Sequence, residues 1–334
     1  MSRSAVLGIA ILGILAIAGS LAWYTSSRTP SPGTPETITI GTAPVELAGL
    51  IYIAEDQGFF PANGLKVTVK NHDSALSAVT GMEAGESDIA LSTEYPIAAE
   101  MLRSENISVI GCVDKYQTTY LVGMKNRGIR NSTDIAGKKI GVARGSIGEF
   151  YLGRFLALRG MNLTDVTRVD LKPAQLVGAL TDGSIDAAII WNIDPETVEA
   201  GFGGNAVIWP AQGGQPTFGI MTGREEWITG HPEAIARFLR SLDEAEAYSA
   251  SHPDEAERIV QQRLNVTDAY IGTMWPKHRL SLSLDQSLVV AMDDEGRWMI
   301  ANNLTTGTTP PDFVDHLSTK GLEEVKPGSV YLIR

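Results

Sequence analysis

Cysteine is nearly missing from this chain: Cys112 is the only one in 334 residues. An internal disulfide and a cysteine-based zinc cluster are both excluded. Cys112 follows the apolar run Val109-Ile110-Gly111, so a buried, inert thiol is expected. Basic charge is also short, with 27 Lys and Arg against 39 Asp and Glu and a net charge of −12. Nucleic-acid phosphates demand a basic face, so no nucleic-acid partner is expected. Histidine is scarce. His72, His231, His252, His278 and His316 show neither an i,i+4 pair nor a short metal-ligand spacing. No GxSxG elbow occurs, and Gly145-Ser146-Ile147-Gly148 has the wrong spacing for one. Neither a metal nor a cofactor is expected, and the chain does not read as an enzyme.

One long hydrophobic run is present. Arg3 precedes Ala5–Ala22, which carries no charge. Residues 1–24 therefore read as a signal peptide or a membrane anchor of marginal length. Ala18-Gly19-Ser20 would permit cleavage, whereas Trp23 and Tyr24 suit a retained anchor at the membrane interface. No cysteine follows, so a bacterial-type lipid anchor is not available. Residues 25–37 form a Ser/Thr/Pro linker with little to bury. Asn-X-Ser/Thr sequons stand at Asn106, Asn131, Asn162, Asn265 and Asn303. Leader and sequons together predict an extracytoplasmic chain, tethered to the membrane if the leader is kept.

The folded part is organised around Leu180–Pro195. Gly183 ends an apolar helical pattern, Asp186 turns the chain, and Ala187–Trp191 is an apolar run without alternation. Such a run suits a parallel strand buried on both faces. Trp191 and Asn192 then fall at the carboxyl end of the strand, where open α/β sheets bind ligands. Gly85–Pro96 repeats the phrase, with Asp88 in place of Asp186. Ile38–Thr42 resembles Lys139–Ala143, and Gly41 and Gly141 are offset much as the two aspartates are. Two similar α/β lobes facing a shared cleft are expected.

The reading places lobe 1 at 38–120 and 222–334 and lobe 2 at 121–221. The β-rich runs Tyr116–Met124 and Phe218–Met221 are the expected crossover strands, with hinges near Tyr120 and Gly219. The pattern after Glu225 is mainly helical. Ser146 and Glu149 form an S-x-x-E capping box at a strand end, and the positive end of the following helix should face the cleft.

Several phrases are similar to one family. Ala54–Phe60 with Gly64-Leu65-Lys66-Val67, Asp134–Val142, Gly183–Ala188 with Trp191 and Pro195, and His231-Pro232-Glu233 follow in its order. Together they resemble the periplasmic solute-binding proteins of ABC importers, in the nitrate/sulfonate/taurine and thiamine-pyrimidine binding group. The resemblance implies a type II-like two-lobe clamp, a monomer that closes on a small molecule and presents it to a membrane permease. It implies ligand loops at Thr42–Val45 (with Pro44), Asp73-Ser74, Ser92-Thr93-Glu94-Tyr95, Gly145-Ser146 and Trp191-Asn192, to which the reading adds Tyr120 and Arg144. Where the family often has Glu after the Trp, this chain has Asn192.

Two further roles compete with import. One is a sensor for a membrane partner. The other is an enzyme like the thiamine-pyrimidine synthases, whose cysteine-rich motif this chain lacks. Arg144 and the helix start at Ser146 suit an anion such as a sulfonate. Glu94, Asp73 and Asp194 favour a neutral, N–H-rich ligand instead, with Trp191 or Tyr95 stacked on it. Trp191 would otherwise close the lobe core.

Overall fold

In the computed structural model, which describes residues 35–103 and 106–333, the apolar runs become strands of two sheets. In chain order these are β1 (Glu36–Thr42), β2 (Leu65–Asn71), β3 (Ile89–Thr93) and β4 (Ile107–Tyr116). There follow β5 (Thr119–Met124), β6 (Lys139–Val142), β7 (Thr167–Asp170), β8 (Ala187–Trp191) and β9 (Ala206–Pro210). The last are β10 (Thr217–Arg224), β11 (His278–Asp285) and β12 (Val330–Tyr331). The leader and residues 25–34 of the linker lie outside the described residues. Strand β1 begins at Glu36, inside the stretch assigned to the linker.

One sheet has the order β2-β1-β3-β10-β4-β11-β12 and the other β7-β6-β8-β5-β9. The first five strands of each are wired alike, and β11 and β12 extend the first sheet alone. Three parallel strands stand in the order second, first, third. An antiparallel strand arriving from the other lobe is inserted next, followed by the fourth. The repeat seen in the sequence has a mechanical cause. Asp88 Oδ2 accepts from the Thr39 N–H at 2.7 Å, and Asp186 Oδ2 accepts from the Lys139 N–H at 2.9 Å. Each aspartate N–H returns a bond to the same residue's carbonyl. Gly41 and Gly141 lie beyond these straps, where a Cβ would meet Ser87 Oγ at 2.9 Å or Ile185 Cδ1 at 2.5 Å. In both lobes the covering elements approach the first strand too closely for a side chain.

The outward crossing falls inside the expected run Tyr116–Met124 but ahead of Tyr120, and the return falls before Phe218–Met221 rather than within it. Strand β5 belongs wholly to the second sheet and β10 wholly to the first, so neither carries the chain between lobes. The outward crossing is Gln117-Thr118, and the return is 211–216. The return holds Gly213 and Gly214 at positive φ (61° and 87°) and Pro216, a turn sequence hidden between two apolar runs. Buried Gln212 joins the two crossings. Its Oε1 accepts from the Thr119 N–H at 3.0 Å, and its Nε2 lies 3.2 Å from the Tyr116 carbonyl.

The C-terminal helices cover lobe 1. Helix Pro232–Ser251 packs on Phe60 through Phe238, with stacked rings 5.8 Å apart. Helix Gln286–Ala301 reaches lobe 2 at helix Ile147–Ala157, where Trp298 meets the ring of Phe150 edge-on at 5.5 Å. Cys112 is buried in β4, and burial pushes its thiol up. The five sequon asparagines are all exposed.

Candidate functional site

Between the carboxyl ends of the two sheets lies a cavity of about 420 Å³. Every strand-end loop named in the sequence supplies at least one residue to it. Thr42 and Pro44 follow β1, Asp73 and Ser74 follow β2, and Thr93 ends β3. From the other lobe come Arg144 and Ser146 after β6, and Trp191 and Asn192 at the end of β8. Leu47, Leu76, Leu91 and Ile147 make much of the wall apolar.

Five candidates lie elsewhere. Ser92 is fully buried, and its hydroxyl donates to the Ala75 carbonyl at 3.1 Å. Glu94 is buried behind the wall, where Oε2 accepts from the Phe218 N–H at 3.0 Å. Its neighbour is the buried carboxyl of Glu295, and burial pushes Glu94 up to about 8. Tyr95 is core, packed against Phe150 and Trp298. Tyr120 receives a hydrogen bond from Lys277 Nζ at 3.3 Å on the far side of β5. Gly145, at φ 70°, supplies the turn before the helix and gives its N–H to Glu149. Helical and strand periodicity locate a loop but leave the facing of each side chain open, so from sequence these five look the same as the residues that do line the cavity.

The sequence reading lacks a whole loop. Asp170, which ends β7, and Leu171, Lys172 and Pro173 after it line the cavity, as Asp73 and Ser74 do after β2. The internal repeat held the signal, since β7 is the counterpart of β2.

Helices Ala75–Glu83, Ile147–Ala157 and Pro173–Asp182 begin at the cavity wall, as does Glu94–Met101 at Thr93. Their positive ends therefore converge on one space. The first is capped by a Ser74–Ser77 box. At the second, Ser146 Oγ accepts from the Gly148 N–H at 3.2 Å. The expected box is altered there, because Glu149 reaches back to the Gly145 N–H at 2.9 Å instead. Buried Glu149 also meets Arg168 at 2.7 Å, with Arg144 more distant at 3.5 Å. Arg168 already balances that carboxylate, so Arg144 brings surplus positive charge to the wall. Lys172 brings more. On the acidic side, Asp170 accepts from the Arg144 N–H at 3.1 Å, and Asp73 is exposed at the rim. Asp194 caps helix Pro195–Gly201 through the Glu196 and Thr197 N–H groups, and Thr197 holds its carboxyl below the usual range.

Two α/β lobes that share a five-strand wiring, joined by two short crossings around a polar-ended cavity, define a solute-binding clamp. A family model described as NMT1/THI5 like matches residues 47–256, and the chain belongs to that family. A protein of Brucella abortus named for binding alone is 26% identical over 72% of this chain and 75% of its own. The taurine-binding periplasmic protein of Escherichia coli is 26% identical over 60% of this chain and 62% of its own. A more distant relative is an enzyme, the 4-amino-5-hydroxymethyl-2-methylpyrimidine phosphate synthase of Schizosaccharomyces pombe. It is 22% identical over 58% of this chain and 60% of its own. Among solved structures, the alkanesulfonate-binding protein SsuA from Xanthomonas axonopodis pv. citri bound to MOPS superposes with a TM-score of 0.73. That match is 18% identical and covers 86% of this chain and 99% of the other.

Proposed function

We propose that the chain is the extracytoplasmic solute-binding component of an ABC importer, and that its solute is an organic anion of the sulfonate class. The observation that carries the ligand class is the convergence of helix N-termini, Arg144 and Lys172 on a cavity whose wall is partly apolar, with Asp73 and Asp170 on its acidic side. An anionic head gains from dipoles and cations together, while the apolar wall takes an aliphatic or aromatic body. Of the three carboxylates that favoured an N–H-rich ligand, Glu94 lies behind the wall and Asp194 caps a helix, while Asp73 stays at the rim, exposed to solvent. The taurine-binding relative supports capture, and it supports delivery to a membrane permease outside the cytoplasm. No helix among the described residues is long and apolar enough to cross a membrane, so tethering would fall to the leader.

The test is a thermal-shift and calorimetric panel of taurine, longer alkanesulfonates, nitrate and substituted pyrimidines. Stabilisation by sulfonates is expected, together with a loss of about tenfold or more in affinity for Arg144→Ala. Removal of a charged hydrogen-bond partner is worth roughly 1.5–3 kcal/mol. Stabilisation by pyrimidines alone would reverse the assignment.

A further inference from the structure

We infer that Asn192 is the latch that holds the lobes closed, with Glu46 as the group that receives it. The inference rests on the capture reading for its solute, but the latch is read from contacts between protein groups.

All four hydrogen-bonding atoms of Asn192 are engaged by protein. Its N–H donates to the Thr118 carbonyl at 3.1 Å, and its Oδ1 accepts from Thr118 Oγ1 at 2.7 Å. Thr118 is half of the outward crossing, so these two bonds fix Asn192 to the hinge itself. The other two bonds reach lobe 1. Nδ2 donates to Glu46 Oε2 at 3.0 Å, and the carbonyl accepts from the Tyr270 hydroxyl at 3.3 Å. Asn192 thus lines the cavity while its amide is spoken for. It acts as a positioning residue, and the ligand contact at this strand end falls to Trp191.

The local chemistry fits this role. Asn192 has φ 53°, a left-handed backbone that Asn accepts more readily than most residues. That turn aims a lobe 2 side chain at the base of lobe 1. Glu46 is 1% exposed and opens the turn that leads into helix Gly49–Asp56, where the helix dipole favours its charge. Rotation of the lobes would leave the Thr118 bonds intact and break those to Glu46 and Tyr270. Opening must therefore give up both interlobe hydrogen bonds.

The test is made on the full chain without solute, with nitroxide labels at exposed Glu199 in lobe 2 and Gln262 in lobe 1. Buried Cys112 stays unlabelled. Asn192→Asp sets a second carboxylate against Glu46, so the label distance should lengthen and taurine affinity should fall about tenfold. Asn192→Asp with Glu46→Gln supplies a donor to the new carboxylate and should regain both. Tyr270→Phe, which removes one hydroxyl, should lengthen the distance partway and covers the case in which Asn192→Asp folds poorly. An unchanged distance in Asn192→Asp and Tyr270→Phe, or no recovery in the double variant, would overturn the latch. If the wild type captures no sulfonate, the solute assignment fails and the distances still decide the latch.

Discussion

A carboxyl as enclosed as that of Glu94 is costly to ionise, because two backbone N–H groups, its own and that of Phe218, and the Glu295 carboxyl are all that replace its water. Glu295 from helix Gln286–Ala301 faces it, and burial together with Glu94 pushes Glu295 well above the usual range. The hydroxyls of Tyr116 and Tyr151 border the same pair, and burial, helped by Glu94, raises both. A folded pKa of about 8 against an ordinary value of 4.5 means the native state holds this proton more tightly than the unfolded chain. The stabilisation is complete below pH 4.5, falls as pH rises, and is gone above 8. Glu94→Gln keeps an acceptor for the Phe218 N–H and removes Glu94's own share of the titration, leaving that of Glu295. Its melting temperature should exceed that of the wild type at pH 9 and respond less to pH between 5 and 8. Every tenfold difference in proton affinity between the folded and unfolded chain is worth about 1.4 kcal/mol. Unchanged pH dependence in the variant would show that another group carries it. From sequence, Glu94 at a strand end is indistinguishable from a ligand contact. Its partner Glu295 lies about 200 residues downstream, and no periodicity joins them.

Among the elements, the duplicated strand–Gly–Asp unit was legible because one local constraint, a carboxylate strapping the first strand, recurs in both lobes. The C-terminal helices were legible from their periodicity and their starts at Pro232 and Asp268. The crossing residues were not, because apolar β-rich runs look alike whether they bridge lobes or fill a sheet. The buried amide of Gln212 ties the crossings, beside the Gln117 bond to the Gly214 carbonyl at 3.3 Å and the Ala211 N–H bond to the Thr119 carbonyl at 2.9 Å, and no pattern marks it. Gln212→Ala would leave the Thr119 N–H and the Tyr116 carbonyl buried without their partner. Each orphaned group costs roughly 1–3 kcal/mol, so a fall in melting temperature of several degrees is expected. Calorimetry should also show a broader transition as the lobes lose their common joint. A loss below about 0.5 kcal/mol, the scale of an ordinary surface change, would remove Gln212 from that role.

For the whole molecule, closure depends on how near the lobes approach along helix Ile147–Ala157. Trp298 crosses from lobe 1 to lie over Gly153, where an added Cβ would stand 2.4 Å from the indole. Neither backbone conformation nor a turn requires this glycine; the ring does. Gly153→Ala should wedge the lobes apart there. The radius of gyration of the solute-loaded form should rise toward that of the empty one, and taurine affinity should fall. Overpacking of this kind costs about 1–3 kcal/mol. Scattering curves that still contract fully on taurine saturation would mean that Trp298 moves aside.

The sheet orders also set a sequence of events during synthesis. Lobe 2 is one continuous stretch, closed once β9 has emerged at Pro210. Lobe 1 begins first but cannot finish. Its strands β3 and β4 are not neighbours, and the gap between them is filled by β10. Until Arg224 has left the ribosome or the export channel, the facing edges of β3 and β4 stand unpaired, and the far edge of β4 waits longer still, for β11. Unpaired edges of that kind recruit other chains. The portion of the molecule made earliest is thus the last to become safe, and a chaperone bound before β10 emerges would protect the N-terminal half.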